Sequence, residues 1–346
     1  MQVSVSSKVE IGRVSAGRGQ VARGFLDVGE TATGAVQLPI VIINGASQGP
    51  VLCLTAGVHA TEYASIDALM RLINELNPAE LRGVVIAVPL VNMHMFAGRC
   101  PFISPLDGVN LNKIAPGGSG SISEILARVL FDDVITKARY HIDLHGGDFG
   151  EMLLEFAGYS MTGNAELDRQ GEALARLFAP RVFCLAREGT TLPPSPGFIA
   201  YAATRKGVVS ILGEAGGNGT MEEADVRVHL EGIRNIMRYL KMINGTPVIP
   251  GSQVLATDWH GTRAKRSGLL RLKVAVGDMM AAGQEVADIC DVFGRTVEVV
   301  RTARPGLAML VWEHKAVNTG DPIVRCWTTE PAPPFPETDR FIRIQQ

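Results

Sequence analysis

The sequence predicts an α/β fold in which helices flank a mostly parallel, mixed sheet, followed by a small all-β region. Between residues 51 and 243, apolar runs of strand length alternate with amphipathic patterns of helical period, which is typical of parallel sheets covered by helices. After residue 251, short β runs alternate with glycine-containing turns. Because 346 residues exceed the usual size of one hydrophobic core, we expect two domains, at residues 1–248 and 252–330.

The elements of the first domain follow from two periodicities. Residues 1–50 contain alternating and apolar runs of β type, which end at the turn-forming residues 45–50. In the segment 62–76, apolar residues recur at the three- and four-residue spacing of a helix. The same reasoning predicts strands at 51–57, 83–91, 139–145 and 207–212, and helices at 122–138, 165–179 and 224–243.

The second domain begins after a segment of different composition. Residues 244–251 include two glycines and two prolines, as is typical of a linker. Short strands follow in the runs LLRLKV, EVADIC, TVEVV, LAMLVW and PIVRCW. Gly277, Gly294, Gly306 and Gly320 mark the corners between them, so this part of the chain is predicted to be all-β.

Composition excludes several classes of function. The net charge is −2 and no basic stripe is present, which argues against a nucleic-acid partner. No run approaches the roughly 18 apolar residues of a membrane-spanning helix, so we expect no membrane insertion. The five cysteines are scattered and form no Cys-x-x-Cys pair, a pattern typical of free thiols in a reducing compartment. We therefore expect a cytoplasmic protein.

The first chemical motif lies where a predicted buried strand ends and a helix begins. His59 and Glu62 are three residues apart, so on a helical first turn both side chains reach one point. An imidazole and a carboxylate that converge in this way suit a zinc ion. The alternative is an ordinary helix N-terminus, where the macrodipole favours Glu62 and His59 is a loop residue.

A third candidate ligand, His145, ends the predicted strand 139–145. The carboxyl edge of an open α/β sheet is where such folds place their sites. Asp143 points to the same face of the strand and is expected to hydrogen-bond the outer nitrogen of His145. His141 shares this face but lies further down the strand, and is interpreted as a core histidine. Three protein ligands with an open fourth position are typical of a catalytic zinc ion, so we expect one zinc ion per chain.

Glu214 directly follows the predicted strand 207–212 and brings a carboxylate to the same edge of the sheet. A desolvated glutamate there can accept a proton from water and deliver it to a leaving amine. The alternative is a solvated glutamate at a strand-to-loop corner.

The segment 92–117 is longer than most loops of compact domains, which favours a functional role. Arg99 is a candidate to polarise the scissile carbonyl and stabilise its oxyanion. Asn110, Asn112 and Lys113 are candidates to bind a substrate carboxylate or amide. Simple surface charge is the alternative for Arg99 and Lys113.

Together these residues resemble the succinylglutamate desuccinylase/aspartoacylase family, relatives of the zinc carboxypeptidases, over roughly residues 40–330. The matching motifs are Gly-x-His-x-x-Glu at 57–62, Asp-Gly-x-Asn-Leu-Asn at 107–112, Pro-Gly at 116–117, Asp-Leu-His at 143–145, and the glutamate at 214. The resemblance implies a carboxypeptidase-like α/β/α domain followed by a β domain. It also implies that His59, Glu62 and His145 bind zinc. By the same resemblance, Glu214 is the general base and Arg99 polarises the carbonyl.

One residue departs from the family pattern at the substrate. Lys113 stands where the family usually has an arginine that clamps the substrate carboxylate. Lysine cannot make the planar, two-pronged contact of a guanidinium. Ala115 also replaces the phenylalanine that the family places before Pro-Gly. We therefore expect a less acidic N-acyl amino acid, or another small amide, rather than acetylaspartate or succinylglutamate.

The C-terminal domain resembles the barrel sandwich of lipoyl and biotinyl carriers in the placing of its glycine turns. A carrier needs a lysine at its hairpin tip, and the tip at residues 290–294 has none. The expectation is a structural or oligomerising domain that can rim the active-site cleft.

The sequence therefore predicts a zinc-dependent amidohydrolase that removes the acyl group of a small N-acyl amino acid or similar amide. Two alternatives remain open. One is a metallocarboxypeptidase on the same zinc site, and the other is a zinc-binding relative without catalytic activity. Homo-oligomerisation is compatible with each of them.

Overall fold

The structure, a computed structural model, describes residues 8–188 and 194–336. Its helices are α1 Tyr63–Glu75, α2 Met93–Gly98, α3 Ile122–Val129, α4 Ala165–Phe178, α5 Ile199–Arg205 and α6 Glu223–Tyr239. Its strands are β1 Lys8–Ile11, β2 Val14–Gly17, β3 Gln20–Thr31, β4 Gly34–Asn44, β5 Ser47–Ala56, β6 Arg82–Val88, β7 Tyr140–His145, β8 Glu151–Leu153, β9 Phe156–Ser160, β10 Val182–Ala186, β11 Val209–Glu214, β12 Val254–Arg263, β13 Gly268–Leu272, β14 Met279–Met280, β15 Glu285–Cys290, β16 Thr296–Arg301, β17 Gly306–Trp312, β18 Ala316–Val317 and β19 Pro322–Pro331.

The predicted fold class is confirmed by one large mixed sheet with the strand order β14-β17-β19-β12-β10-β9-β11-β7-β5-β6-β4-β3. The middle strands β6, β5, β7 and β11 run parallel to one another. β9 is antiparallel to β11 and parallel to β10, and β3 and β4 close one edge in antiparallel fashion. The parallel strands all direct their carboxyl ends toward one edge, which is where the candidate site lies.

Helices cover both faces of this sheet because the buried strands are apolar on both sides. Successive residues of β5 face opposite layers: Leu52 and Leu54 pack with α1, α4 and α6, whereas Val51 and Cys53 pack with α3 and α5. The continuous apolar run in the sequence thus becomes the inner layer of a three-layer fold.

The helix predicted for residues 122–138 is not regular. α3 ends at Val129, and the chain continues as a π-helical turn to Val134 and a 3-10 turn at Ile135–Lys137. Buried residues recur here in pairs every four positions, at 126/127, 130/131 and 134/135. A regular α-helix has 3.6 residues per turn, so a four-residue repeat drifts off the core face. The wider π turn compensates for this drift and keeps all three pairs buried.

The C-terminal strands are continuous with the main sheet. β12 pairs in parallel with β10, and β17 pairs with β8, so hydrogen-bonded ladders cross the expected boundary between residues 248 and 252. The sheet β16-β15-β13-β18 forms a separate core with residues of β17 and β19. The division into two folding units stays a prediction, but side chains of β12, β17 and β19 are fixed against the first unit.

Two further sequence expectations concern composition. All five cysteines lie in the described part of the chain and are unpaired, as predicted. Among residues 8–188 and 194–336, no helix is long and apolar enough to cross a membrane.

Candidate active site and metal centre

The three predicted metal ligands converge in the structure. His59 Nδ1 lies 2.8 Å from Glu62 Oε1, and His145 Nδ1 lies 2.9 Å from Glu62 Oε2. The three ligand atoms are all within 4.8 Å of one another. Glu62 and His145 are only 4% and 1% exposed, so this group of donors is shielded from bulk water.

Strand topology explains how residues so far apart in the sequence meet. β5 and β7 are parallel neighbours, with Thr55 opposite Asp143 in the ladder. β5 therefore ends beside His145, and the chain that leaves it carries His59 and then Glu62, the residue before α1. The backbone N–H of Gly146 donates to Glu62 Oε2 at 3.1 Å and fixes the carboxylate at the junction of both strands.

The outer nitrogen of each imidazole has an acceptor. Asn110 Oδ1 lies 3.1 Å from His59 Nε2 and also accepts from the backbone of Asn112, so His59 donates from Nε2. Asp143 Oδ2 lies 3.1 Å from His145 Nε2, as the sequence predicts. Partners of this kind select the tautomer of an imidazole ligand. Both histidines therefore present Nδ1 to Glu62 and to the space around it.

His141 does not join the ligand group, in agreement with its interpretation as a core residue. It is fully buried, and burial lowers its pKa to about 4. Ser210 Oγ lies 2.8 Å from His141 Nδ1, and Thr55 Oγ1 lies 2.9 Å from its Nε2. Thr55 in turn donates to Asp143 Oδ1 at 2.6 Å. Neutral His141 thus anchors a hydrogen-bonded chain that holds Asp143 against His145.

The buried carboxylate of Glu62 attracts positive charge to the two imidazoles beside it. Burial disfavours charge on all of them, but the mutual attraction outweighs it: Glu62 raises the pKa of both His59 and His145, and they lower the pKa of Glu62. Imidazole nitrogens and carboxylate oxygens are the donors that zinc takes in catalytic sites. Two Nδ1 atoms and one buried carboxylate within a few ångströms therefore fit a zinc ion.

Glu214 lies opposite His145 in the parallel ladder of β7 and β11. Its Oε2 is buried and has no hydrogen-bond partner among the described residues. Burial, together with the neighbouring carboxylates Glu62 and Glu151, raises the pKa of Glu214 well above its usual range, although His145 opposes the shift. Such a carboxyl group is suited both to accept and to return a proton.

The ligand group and Glu214 share one cavity of about 500 Å³. Its wall is formed mainly by β7, β9, β10 and β11, and the C-terminal strands complete it. Its lining includes His59, Glu62, Phe102, Asn110, Asn112, Lys113, His145, Glu151, Glu214, Trp259, Met309, Leu310, Arg325 and Trp327.

The structure places Arg99 outside this cavity, and its expected role at the substrate carbonyl stays a prediction. Arg99 ends the short helix α2 with a left-handed backbone (φ 51°), and its side chain is exposed. It lines a separate depression with Tyr63, Phe96 and Met221. No periodicity in the sequence predicts α2, which left-handed backbone positions at Arg99 and Phe102 follow.

The other candidates of the 92–117 loop do line the cavity, but two of them are engaged by the protein. Asn110 orients His59, as described above. Asn112 Oδ1 accepts from the backbone of Ile199 at 3.1 Å and ties the loop to α5. Lys113 is exposed at the cavity and remains available to a substrate.

Sequence reasoning missed Phe102 and Asp148. The Phe102 ring packs edge-on to His59, with centroids 5.9 Å apart. Asp148 accepts from the backbone of Phe102 at 2.8 Å and from the hydroxyl of Thr61, so it fastens the loop beside the ligand group. The position of Asp148, three residues after His145 at the same edge of the sheet, could have indicated that it lies near the site.

The cavity residues of the C-terminal strands were also missed. Trp259 and Trp327 line it from β12 and β19, and Arg325 lies between them in sequence on β19. All three tryptophans of the chain fall between residues 259 and 327, although aromatic residues make up only 6% of the sequence. This concentration of tryptophans could have indicated that the C-terminal strands line a binding cavity.

Comparison with known proteins identifies the family of this chain. Residues 48–240 match the family model of the succinylglutamate desuccinylase/aspartoacylase catalytic domain. The chain belongs to this family. The matched region contains the whole ligand group and Glu214.

Among curated proteins, the N-alpha-acetyl-L-2,4-diaminobutyric acid deacetylase of Halomonas elongata is 30% identical over 315 residues, which cover 88% of this chain and 90% of the relative. The solved succinylglutamate desuccinylase/aspartoacylase of Rhodobacter sphaeroides has a TM-score of 0.79 and 24% identity, covering 90% of this chain and 96% of that one. The product-bound ectoine utilization protein EutE (DoeB) of Ruegeria pomeroyi has a TM-score of 0.80 and 23% identity, covering 89% and 95%. The two structures share the fold of this protein.

Proposed function

We propose that the protein is a zinc-dependent deacylase that hydrolyses the amide bond of a small N-acyl amino acid. The observation that supports this most is that the buried His59–Glu62–His145 group and the unpartnered carboxylate of Glu214 share one cavity. The deacetylase activity named for the Halomonas elongata relative supports the same reaction class.

In this proposal His59, Glu62 and His145 hold the zinc ion through two imidazole nitrogens and a carboxylate. Bound there, zinc supplies Lewis acidity toward the substrate carbonyl and toward a water molecule. Asn110 and Asp143 keep the two imidazoles in the tautomer that leaves Nδ1 free. Their part is orientation, and they take no proton in the reaction.

Glu214 moves the proton. Its free Oε2 accepts a proton from the attacking water as the new C–O bond forms, and it then delivers that proton to the amine nitrogen as the C–N bond breaks. The products are a carboxylic acid and a free amine. The raised pKa of Glu214 suits this exchange because the carboxyl group holds the proton readily between the two transfers.

The shape of the cavity favours a small substrate over a peptide. Met309, Leu310 and Trp327 of the C-terminal strands form part of its wall, so these strands narrow the space at the sheet edge. A carboxypeptidase needs an open groove for the rest of a polypeptide chain. The geometry therefore supports deacylation of a small amide on this site.

A substrate screen tests the proposal. The purified protein is incubated with N-acetylated amino acids of acidic, neutral, basic and diamino type, and in parallel with peptides that end in different residues. We expect amine release from at least one N-acetyl amino acid and no shortening of the peptides. Trimming of the peptides without deacylation would assign the site to a carboxypeptidase instead.

Lys113 provides a second prediction, because it is the exposed cation at the cavity. Lys113→Arg is expected to shift the substrate preference toward acidic N-acyl amino acids, since a guanidinium pairs both oxygens of a carboxylate. Lys113→Ala is expected to raise KM for anionic substrates more than it lowers kcat. Lys206→Ala, an exposed lysine outside the cavity, is the matched control. An unchanged ranking of substrates in both variants would remove Lys113 from substrate recognition.

A further inference from the structure

The wall of the cavity that continues from Glu214 is apolar. In the ladder of β11 with β9, Glu214 is opposite Phe156. The next row that faces the same side of the sheet contains Leu212, Gly158 and Cys184, which are paired across β11, β9 and β10. All of these residues line the cavity. The proton-carrying carboxylate is therefore followed by a row in which Leu212 and Cys184 flank a position without a side chain.

Gly158 leaves a gap in this row. A Cβ atom added there would lie 2.9 Å from Sγ of Cys184 and 3.9 Å from Cβ of Leu212, so any side chain at this position would fill the space between them. Burial and the nearby charge of Glu214 raise the pKa of Cys184 to about 12, and its thiol therefore stays neutral at physiological pH. The wall thus offers a ligand an uncharged groove beside Glu214.

Side chains of the C-terminal strands face this groove. Met309 and Trp327 line the cavity, are 4% and 3% exposed, and belong to one apolar cluster with Phe156. The rings of Phe156 and Trp327 pack edge-on, with centroids 4.7 Å apart. Leu212 and Cys184 pack against the same cluster. An apolar group of a ligand would therefore lose most of its contact with water in the groove, which favours its binding there.

The side-chain cations that line the cavity from the loop 92–117 and from β19 are Lys113 and Arg325. Lys113 is exposed, and Arg325 is attracted by the carboxylate of Glu151, which favours its charged form although burial opposes it. An N-acyl amino acid has two arms, the acyl chain on the carbonyl carbon and the amino acid on the nitrogen. The amino acid always carries a carboxylate, which the groove would leave unpaired at a high cost. The acyl chain can be wholly apolar, so the groove suits that arm.

We infer that the groove between Leu212 and Cys184, over Gly158, is an acyl-chain subsite that takes an uncharged aliphatic acyl group longer than acetyl. Two residues of a strand span about 7 Å, so the cavity continues by about that distance past the row of Glu214. An acetyl methyl group reaches only about 1.5 Å beyond its carbonyl carbon. The inference rests on the proposed deacylase function and adds the class of acyl group that is removed.

Five acyl derivatives of one amino acid test the subsite. The amino acid is the one with the highest rate in the substrate screen, and the groups are acetyl, propionyl, butyryl, 4-methylpentanoyl and succinyl. Succinyl matches 4-methylpentanoyl in shape but ends in a carboxylate. We expect kcat/KM to rise about 4-fold for each methylene group from acetyl to butyryl, the factor for burial of one methylene. Succinyl should be more than about 10-fold poorer than 4-methylpentanoyl, since its charge has no partner in the groove. A flat or falling series, or equal rates for this pair, would overturn the inference.

Two variants locate the effect in the groove. Gly158→Ala fills the gap, so it should abolish the gain of about 16-fold from acetyl to butyryl and leave acetyl within a few-fold of the wild type. Leu212→Ala widens the groove and should shift the preference toward 4-methylpentanoyl. The ranking of amino acids should stay the same in both variants. A changed ranking with an unchanged acyl series would assign the groove to the amino-acid side chain and overturn the inference.

Matched controls lie outside the cavity. Gly24→Ala, on β3, also crowds a neighbour, because an added Cβ atom would lie 2.6 Å from Cγ2 of Val14. Leu255→Ala, on β12, truncates a half-buried leucine, as Leu212→Ala does. Both controls should keep the acyl series of the wild type, and melting temperatures confirm that all four variants are folded.

Binding measurements keep this test separate from the proposed function. The Kd of each acyl compound is measured by calorimetry with Glu214→Gln, in which turnover is expected to be lost, and should follow the same order as kcat/KM. If the wild type hydrolyses no N-acyl amino acid, the proposed function fails. The Kd values of the five N-acyl-L-alanines for the wild type then decide the inference alone: tighter binding from acetyl to butyryl supports the subsite, and equal or weaker binding overturns it.

Discussion

His145→Ala is expected to remove the bound metal and to abolish deacylation while the fold is retained. The imidazole of His145 supplies one of the three donors, and without it two buried carboxylates, Glu62 and Asp143, lose their common partner. Groups that only orient a metal ligand already cost about 10- to 100-fold when they are lost, so the ligand itself should cost roughly 10³-fold or more in activity. Elemental analysis and an amine-release assay on the same preparation measure both effects.

The control for this variant is His94→Ala, because His94 lies on α2 and does not line the cavity. His59→Ala should behave as His145→Ala does. Stoichiometric zinc in both ligand variants, with an unchanged melting temperature, would show that the metal is held elsewhere.

Glu214→Gln is expected to keep the metal and lose turnover. The amide is almost the same size as the carboxylate but cannot accept a proton from water, and removal of a general base costs about 10²- to 10⁴-fold in rate. KM should change little, because the lost interaction belongs to the transition state. Steady-state kinetics and zinc content measured together give the result.

The matched control for Glu214 is Glu188→Gln, an exposed glutamate outside the cavity. Activity of Glu214→Gln within a few-fold of the wild type would identify another group as the base. Glu151 would be the next residue to test, since it is the other cavity carboxylate with a raised pKa.

The metal group could be predicted because its members lie within short motifs. Glu62 is three positions after His59, and His145 is two positions after Asp143, so local geometry fixes each pair. Only one long-range fact is then required, the parallel pairing of β5 with β7. The continuous apolar run of β5 and the alternating apolar residues of β7 are both compatible with strands of a sheet that helices cover. The position of Glu214 follows from the next parallel pairing, β7 with β11.

The structure of the loop 92–117 could not be predicted from the sequence in the same way. Its residues have no periodicity, and the backbone depends on α2 and on left-handed positions at Arg99 and Phe102. A family motif located Asn110 and Asn112 correctly near the site but did not reveal that their side chains hold His59 and α5.

The contribution of the C-terminal strands to the cavity could not be predicted from the sequence, for a different reason. Arg325 and Trp259 are more than a hundred residues from His145 in the sequence, and they reach the cavity through the ladders of β12 with β10 and of β17 with β8. β10 was not predicted, because its five residues are too few to show a clear periodicity. Without that strand, residues 252–330 looked like a domain apart.

The most direct test of the central claim is a zinc titration of chelator-treated protein, with the initial rate of hydrolysis of the best N-acetyl amino acid from the substrate screen measured at each step. We expect inactive metal-free protein and a rate that rises linearly to a plateau at one zinc ion per chain. We also expect no recovery in His59→Ala or His145→Ala. Full deacylation by the metal-free protein, or recovery in the ligand variants equal to that of the wild type, would contradict a zinc-dependent deacylase centred on His59, Glu62 and His145.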